Sequence, residues 1–201
     1  MDGIAEDWRN RTSAAGQPWC ISFDEFTVDE GQSEGWKPVY VPDDYRKLKI
    51  WPIYLSGGQL EFILEDLLWL DDFTKYSKLW NETWYARKLI QDLPFWEMQP
   101  MDHLLSGATP YSNGHPRGSI NGQVMAKPGV VYLVYLPNAT STGYLDLSGA
   151  PGSFELRWYN PRSGSFEGAK GSIIGGTKVG LGTPPSSQSQ DWVALLEASG
   201  G

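Results

Sequence analysis

Hydrophobic and polar positions change rhythm near residue 106. Before it, apolar and aromatic side chains fall in longer segments, some with three- and four-residue spacing. Beyond residue 120 they fall in short alternating runs broken by Gly, Pro and Asn. In the first half, residues 19–23 form an apolar run behind Gly16 and Pro18, which predicts a buried strand ending at Asp24 and Glu25. Asp43 and Asp44 offer an N-cap and favourable first-turn charge for a helix through about residue 56. Pro52 predicts a kink within it, and Gly57 and Gly58 end it. Residues 60–64 predict a second strand, with Glu61 and Phe62 on opposite faces. Residues 74–91 predict a helix, since Tyr76, Leu79, Trp80, Thr83, Trp84, Arg87 and Ile90 recur at helical intervals.

The order strand, helix, strand, helix is that of a parallel α/β sheet. Two parallel strands cannot hide both of their faces, so this half predicts the end of something larger, a closed (β/α) barrel of roughly 250 residues. The second half predicts an antiparallel β-sandwich of six to eight short strands. Residues 130–136 are strongly β-branched and aromatic and close at Pro137 and Asn138. Residues 144–147 follow. Phe154, Leu156 and Trp158 then alternate with Glu155, Arg157 and Tyr159 up to a turn opened by Asn160 and Pro161. Residues 172–174 and 178–181 are weaker strands, and residues 192–196 close the module. The predicted division is a barrel segment over 1–106, a turn-rich connector over 107–119 and a sandwich over 120–201.

Composition narrows the possible chemistry. With 16 Lys and Arg against 24 Asp and Glu, the net charge of −8 argues against nucleic acid as a partner, because phosphate backbones need clustered cations. The 10 Trp imply a ring-rich core or a surface on which flat ligands stack. Cys20 is the single cysteine, so no internal disulfide can form, and its place between Trp19 and Ile21 predicts a buried inert thiol. His103 and His115 lack a third ligand at useful spacing, so neither a metal site nor a cofactor is predicted. No apolar run approaches the ~18 residues of a membrane span, so no membrane partner is predicted. Residues 1–7 do not read as a signal peptide. If a longer N-terminal part carries one, the location is extracellular or periplasmic.

Several strings are familiar together. Leu93-Pro94-Phe95-Trp96-Glu97-Met98, with Pro100 and Asp102, resembles the junction in bacterial glycoside-hydrolase-like (β/α)-barrel proteins that carry a C-terminal β-sandwich labelled a collagen-binding domain. Residues 126–137 resemble that sandwich's opening strand. Leu145-Asp146-Leu147-Ser148-Gly149, Phe154 and Arg157-Trp158-Tyr159-Asn160-Pro161-Arg162-Ser163-Gly164 resemble its central hairpin. Pro184-Pro185 and residues 191–196 resemble its closing strand. By the same likeness residues 18–25 resemble the seventh barrel strand, and Gly57-Gly58 with Leu60-Glu61-Phe62 the approach to the eighth. The chain departs from that pattern at residues 62–66. The resemblance implies the last two βα units of a TIM-type barrel followed by an antiparallel β-sandwich, acting on a polysaccharide or glycoside.

Retaining glycoside hydrolysis needs two carboxyl groups about 5–5.5 Å apart, and in a barrel such groups stand at the C-terminal ends of strands. Glu25, directly after a predicted strand, suits a nucleophile, and the resemblance places the nucleophile there. Asp24 is the adjacent alternative, and Glu61 would contact substrate or orient Glu25. Asp24 and Glu25 are equally well explained as solvated charges at a strand end. The acid/base partner would come from an earlier strand that these residues do not contain, so the chain alone is expected to be inactive. Trp36 and Trp69, in loop-like surroundings, are candidates for stacking on sugar, whereas Trp80, Trp84, Trp158 and Trp192 are expected in cores. The alternative is a non-catalytic sandwich that binds collagen or polysaccharide. Collagen enters through the resemblance and not through composition.

Overall fold

The computed structural model describes residues 2–17, 19–28, 41–64, 73–114 and 118–200. They form two compact units, Met1–Trp84 and Tyr85–Gly201.

The first unit begins with helix α1 (Asp2–Ala14), which the hydrophobic pattern does not predict. Its apolar residues are few, and Ile4 and Trp8 remain 53% and 46% exposed. Strand β1 (Ile21–Val28) follows, then α2 (Pro42–Tyr45), a π-helical stretch Arg46–Ile50, α3 (Trp51–Leu55) and strand β2 (Gly58–Leu64). A 3-10 turn (Phe73–Tyr76) leads into α4 (Ser77–Gln91). β1 and β2 pair in parallel, joined by the helical crossover that such pairing requires. β1 runs past its predicted end at residue 23, because Phe26, Thr27 and Val28 are strong strand formers and carry the pairing on.

Four further expectations are revised here. Val41, not Asp43 or Asp44, is the N-cap of α2, with no side-chain cap bond. Pro42 occupies the first turn, where its missing N–H costs nothing. Pro52 resolves its clash through a widened turn: the Trp51 N–H bonds back to the Arg46 carbonyl, five residues earlier. Cys20 is exposed, because it and Trp19 (60% exposed) precede the strand in an open connection. Trp84 is 51% exposed, while Trp80 packs edge-on against Phe62 with ring centroids 5.9 Å apart.

Ile50, Trp51, Ile53, Leu55, Tyr76 and Leu79 build the core of this unit. Inside it, fully buried Arg46 donates to Glu82 on α4 at 2.5 Å and to Asp43 at 2.9 Å, and Lys78 donates to Asp43 at 2.7 Å. Burial alone would raise the Asp43 carboxyl. The hydrogen bond from Lys78 and the charge of Arg46 outweigh it and bring Asp43 down to about 2. Glu82 shifts the other way, because burial outweighs its ion pairs.

The second unit is an antiparallel β-sandwich. Its strands are β3 (Gln99–Pro100), β4 (Leu105–Thr109), β5 (Tyr111–Ser112), β6 (Ser119–Ile120), β7 (Gln123–Lys127) and β8 (Val131–Leu136). The remainder are β9 (Asn138–Asp146), β10 (Ser153–Asn160), β11 (Ser165–Ile174), β12 (Lys178–Gly180) and β13 (Trp192–Ala198). One sheet runs β11-β10-β13-β8-β7-β3, a second runs β12-β9-β4, and β5 and β6 form a ribbon. Strands of this unit begin at residue 99, and residues 105–109 and 111–112 are themselves strands. β3 pairs with β7, and β4 with β9. Gly107 and the small residues around it hide the alternation that would reveal β4 in the sequence.

Between the two sheets lies one core. The predicted alternation in β10 holds, with Phe154, Leu156 and Trp158 turned inward. Tyr132 meets Phe154 edge-on at 5.6 Å, and Trp158 meets Trp192 at 6.3 Å, so both tryptophans are core residues as expected. Every residue of β8 is buried, so its outer face is covered as well. On that outer face, the Tyr159 hydroxyl donates to the Tyr85 carbonyl at 2.8 Å. Burial, with Tyr85 and Asp92 nearby, pushes the Tyr159 phenol up to about 12.

A buried polar cluster ties the β10–β11 turn to the start of β13. Asp191, with no exposed surface, accepts from the Tyr135 hydroxyl at 3.1 Å and from Arg162 Nη1 at 3.2 Å. Arg162 also donates to the Asp191 carbonyl, and its guanidinium lies 5.0 Å from the Trp192 ring centre.

Asp191→Ala removes the carboxylate that accepts from Arg162, itself 22% exposed, and from the Tyr135 hydroxyl, and is expected to cost about 1.5–3 kcal/mol in urea unfolding. Tyr135→Phe, which deletes one neutral donor, is expected to cost about 1 kcal/mol. Asp43 titrates at 3.8 when unpaired and at about 2 in the fold, so its stabilisation is complete above 3.8 and is lost as pH falls towards 2. Asp43→Asn is expected to flatten the acid arm of thermal stability across that window. An unchanged slope would show that the network does not stabilise the fold.

Candidate functional site

The predicted chemistry centres on the β1–β2 pair. Phe23 pairs with Leu60, and the next paired residues are Phe26 and Phe62. Asp24 and Glu25 together therefore oppose Glu61 alone, which makes a β-bulge of two residues against one. Three acidic residues consequently share one level of the sheet. Phe62 is held against Tyr45 (6.4 Å) and Trp80 (5.9 Å), and strand alternation turns Glu61 to the opposite face. Glu61 and Asp24 are both exposed, and Asp24 Oδ1 accepts from the Ser22 hydroxyl at 2.7 Å. The backbone of Glu25 belongs to the bulge. Trp36 and Trp69 lie outside the described residues.

Behind this level stand α2, the π-helical stretch and α3, with α3 packed on β2 and Arg46 fastened to α4 through Glu82. Bulges commonly re-aim side chains beside active sites. Carboxylates in such a place can act as nucleophile, as general base, or as acceptors for a hydroxylated ligand. Among the described residues no group of three His, Cys, Asp or Glu is arranged to hold a metal ion.

The second unit carries a separate concave feature, a cleft of ≈ 340 Å³ beside β9. Thr140, Ser141, Thr142, Tyr144, Thr183 and Gln188 contribute to its lining. Sequence reasoning missed these residues. The signal available was the run Thr140-Ser141-Thr142-Gly143-Tyr144, three hydroxyls leading to an aromatic ring, set in a strand too polar to be recognised along its full length.

Residues 117–197 match the family described as "Putative collagen-binding domain of a collagenase". No curated protein matches the chain. Two solved structures are similar in fold. One is a glycoside hydrolase (15% identity, TM-score 0.67), matched over 97% of this chain and 46% of its own. The other is a glycoside hydrolase family 5 protein from Bacteroides vulgatus ATCC 8482 (14% identity, TM-score 0.68), matched over 96% of this chain and 45% of its own. The chain thus spans less than half the length of either structure.

Proposed function

We propose that this chain is the C-terminal portion of a glycoside-hydrolase-like protein acting on polysaccharide, comprising the last two βα units of a TIM-type barrel and the sandwich that follows. The observation that carries the proposal is the bulge that sets Asp24 and Glu25 against Glu61 on a parallel βαβ unit. The fold likeness to two glycoside hydrolases over nearly the whole chain supports it. In this mechanism Glu25 attacks the anomeric carbon as the glycosidic bond breaks and the general acid protonates the departing alcohol oxygen, giving a glycosyl-enzyme. Water then cleaves that ester bond, yielding the sugar with net retention and freeing Glu25. Glu61 contacts substrate or orients Glu25, Asp24 is the adjacent acceptor, and Trp36 and Trp69 stack on the sugar. The general acid belongs to a strand preceding this chain, so these residues alone lack a contribution worth ~10²–10⁴-fold.

In the longer protein, Glu25→Gln is expected to lower kcat by about 10³-fold or more with little change in KM. An activated 2-fluoroglycoside is expected to label Glu25, as read by peptide mass. Label on Asp24 would transfer the role to its neighbour, and efficient hydrolysis of an unactivated polysaccharide, whose leaving group needs the general acid, by the 201-residue chain alone would refute the division of labour.

A second reading is favoured by the family match over residues 117–197. In it the sandwich is a non-catalytic module that binds collagen or polysaccharide. Retention of the chain on fibrillar collagen or on insoluble polysaccharide is the expected result, and failure on both would leave the sandwich a purely structural partner of the barrel.

A further inference from the structure

We infer that the cleft beside β9 is a binding site for a neutral pyranose within a glycan chain, with Tyr144 as its stacking platform. The inference rests on the second reading's premise that the sandwich binds a ligand, and is independent of Glu25.

The platform follows from sheet register. Tyr144 stands between Ser106 on β4 and Gly180 on β12, two of the smallest residues available. Leu145, one step along, points into the core, so Tyr144 projects from the outer face of the three-stranded sheet. Its ring leans across Gly180, where an added Cβ would meet Cε1 at 3.8 Å. The ring covers the glycine, yet the residue remains 56% exposed. A large ring on an open sheet face between two small neighbours offers a flat apolar surface, which suits the C–H face of a pyranose.

The walls supply the complementary polarity. Three hydroxyls spend their protons internally: Thr140 on Asn138 Oδ1 at 2.7 Å, Ser141 on the Gly107 carbonyl at 2.8 Å, and Thr142 on the Gly182 carbonyl at 2.6 Å. Their oxygens keep lone pairs that can accept from sugar hydroxyls. Thr183, Gln188 and the Tyr144 hydroxyl add donors. Among the described residues the lining of the cleft contains no Asp, Glu, Lys or Arg. The described lining itself thus offers a charged ligand no counter-charge, whereas a neutral sugar needs none. At ≈ 340 Å³ the cleft lies at the small end of the ~300–1,000 Å³ typical of small-ligand sites. A volume of ≈ 340 Å³ is nearer to the size of a sugar residue than to that of a rod of three wound chains.

The test is affinity electrophoresis of the full chain through gels containing hydroxyethyl cellulose, arabinoxylan or galactomannan, with retention on fibrillar collagen measured in parallel. At least one polysaccharide is expected to retard the chain. Tyr144→Ala is expected to weaken that retardation about tenfold or more, while Tyr144→Trp retains it. Ile174→Ala, at another exposed apolar position, is expected to change nothing. An unshifted thermal midpoint in Tyr144→Ala excludes misfolding, and Gln188→Ala provides a second, milder lesion in the same wall. Retardation that is insensitive to Tyr144 would overturn the site while leaving the binding-module reading intact. Retention on collagen with no polysaccharide response would overturn the ligand class, and silence on every probe would overturn both.

Discussion

Asp191 is a carboxylate without exposed surface, and the sandwich is organised around the need to compensate it. An isolated buried charge is costly enough that its partners must be in place whenever the fold is. Those partners are Tyr135 on β8 and Arg162 in the turn after β10, so three segments far apart in sequence must converge at one point. β13 lies between β10 and β8 in the sheet, and the residue just before it carries the charge. The cluster thus specifies which strand fills the middle of the six-stranded sheet. Apolar packing by itself would discriminate weakly among similar β-branched strands. Trp192, adjacent to Asp191, takes the guanidinium over its ring and extends the same anchor into the core between the sheets.

The first unit uses the same device differently. Arg46 sits in a widened helical turn next to Pro52 and reaches Glu82 on α4. Two carboxyls near one cation shift in opposite directions, Asp43 down and Glu82 up, because their burial differs. Charge here fixes the crossover helix behind β2, and hence the backdrop against which the bulge is presented.

Much of this was legible in the sequence, and the exceptions have specific causes. β-Branched and aromatic runs located β8, β10 and β13, since side-chain burial dominates strands with a wet side and a dry side. β3 to β6 were invisible because strands of two to five residues containing Gly107, Pro100 and several serines carry no period. Their existence depends on partners β7 and β9, which hold them by backbone bonds. Trp84 and Cys20 show the converse error: local hydrophobicity identifies a side chain that could be buried, while exposure depends on which neighbours arrive. At the candidate site the acids Asp24, Glu25 and Glu61 could be named from position alone. Their shared level could not, because it requires the register of two strands separated by the whole crossover.

That register has a consequence for how the chemistry at this level could change over generations. Pairing is regular up to Phe23 and again from Phe26, so the irregularity is confined to one step. Loss of a single codon at position 24 or 25 would turn two-against-one into one-against-one and leave every later pair where it stands. The number of acids facing Glu61 is therefore insulated from the rest of the sheet. A lineage could discard or acquire a carboxylate here in one event without moving the hydrophobic face that holds the unit together.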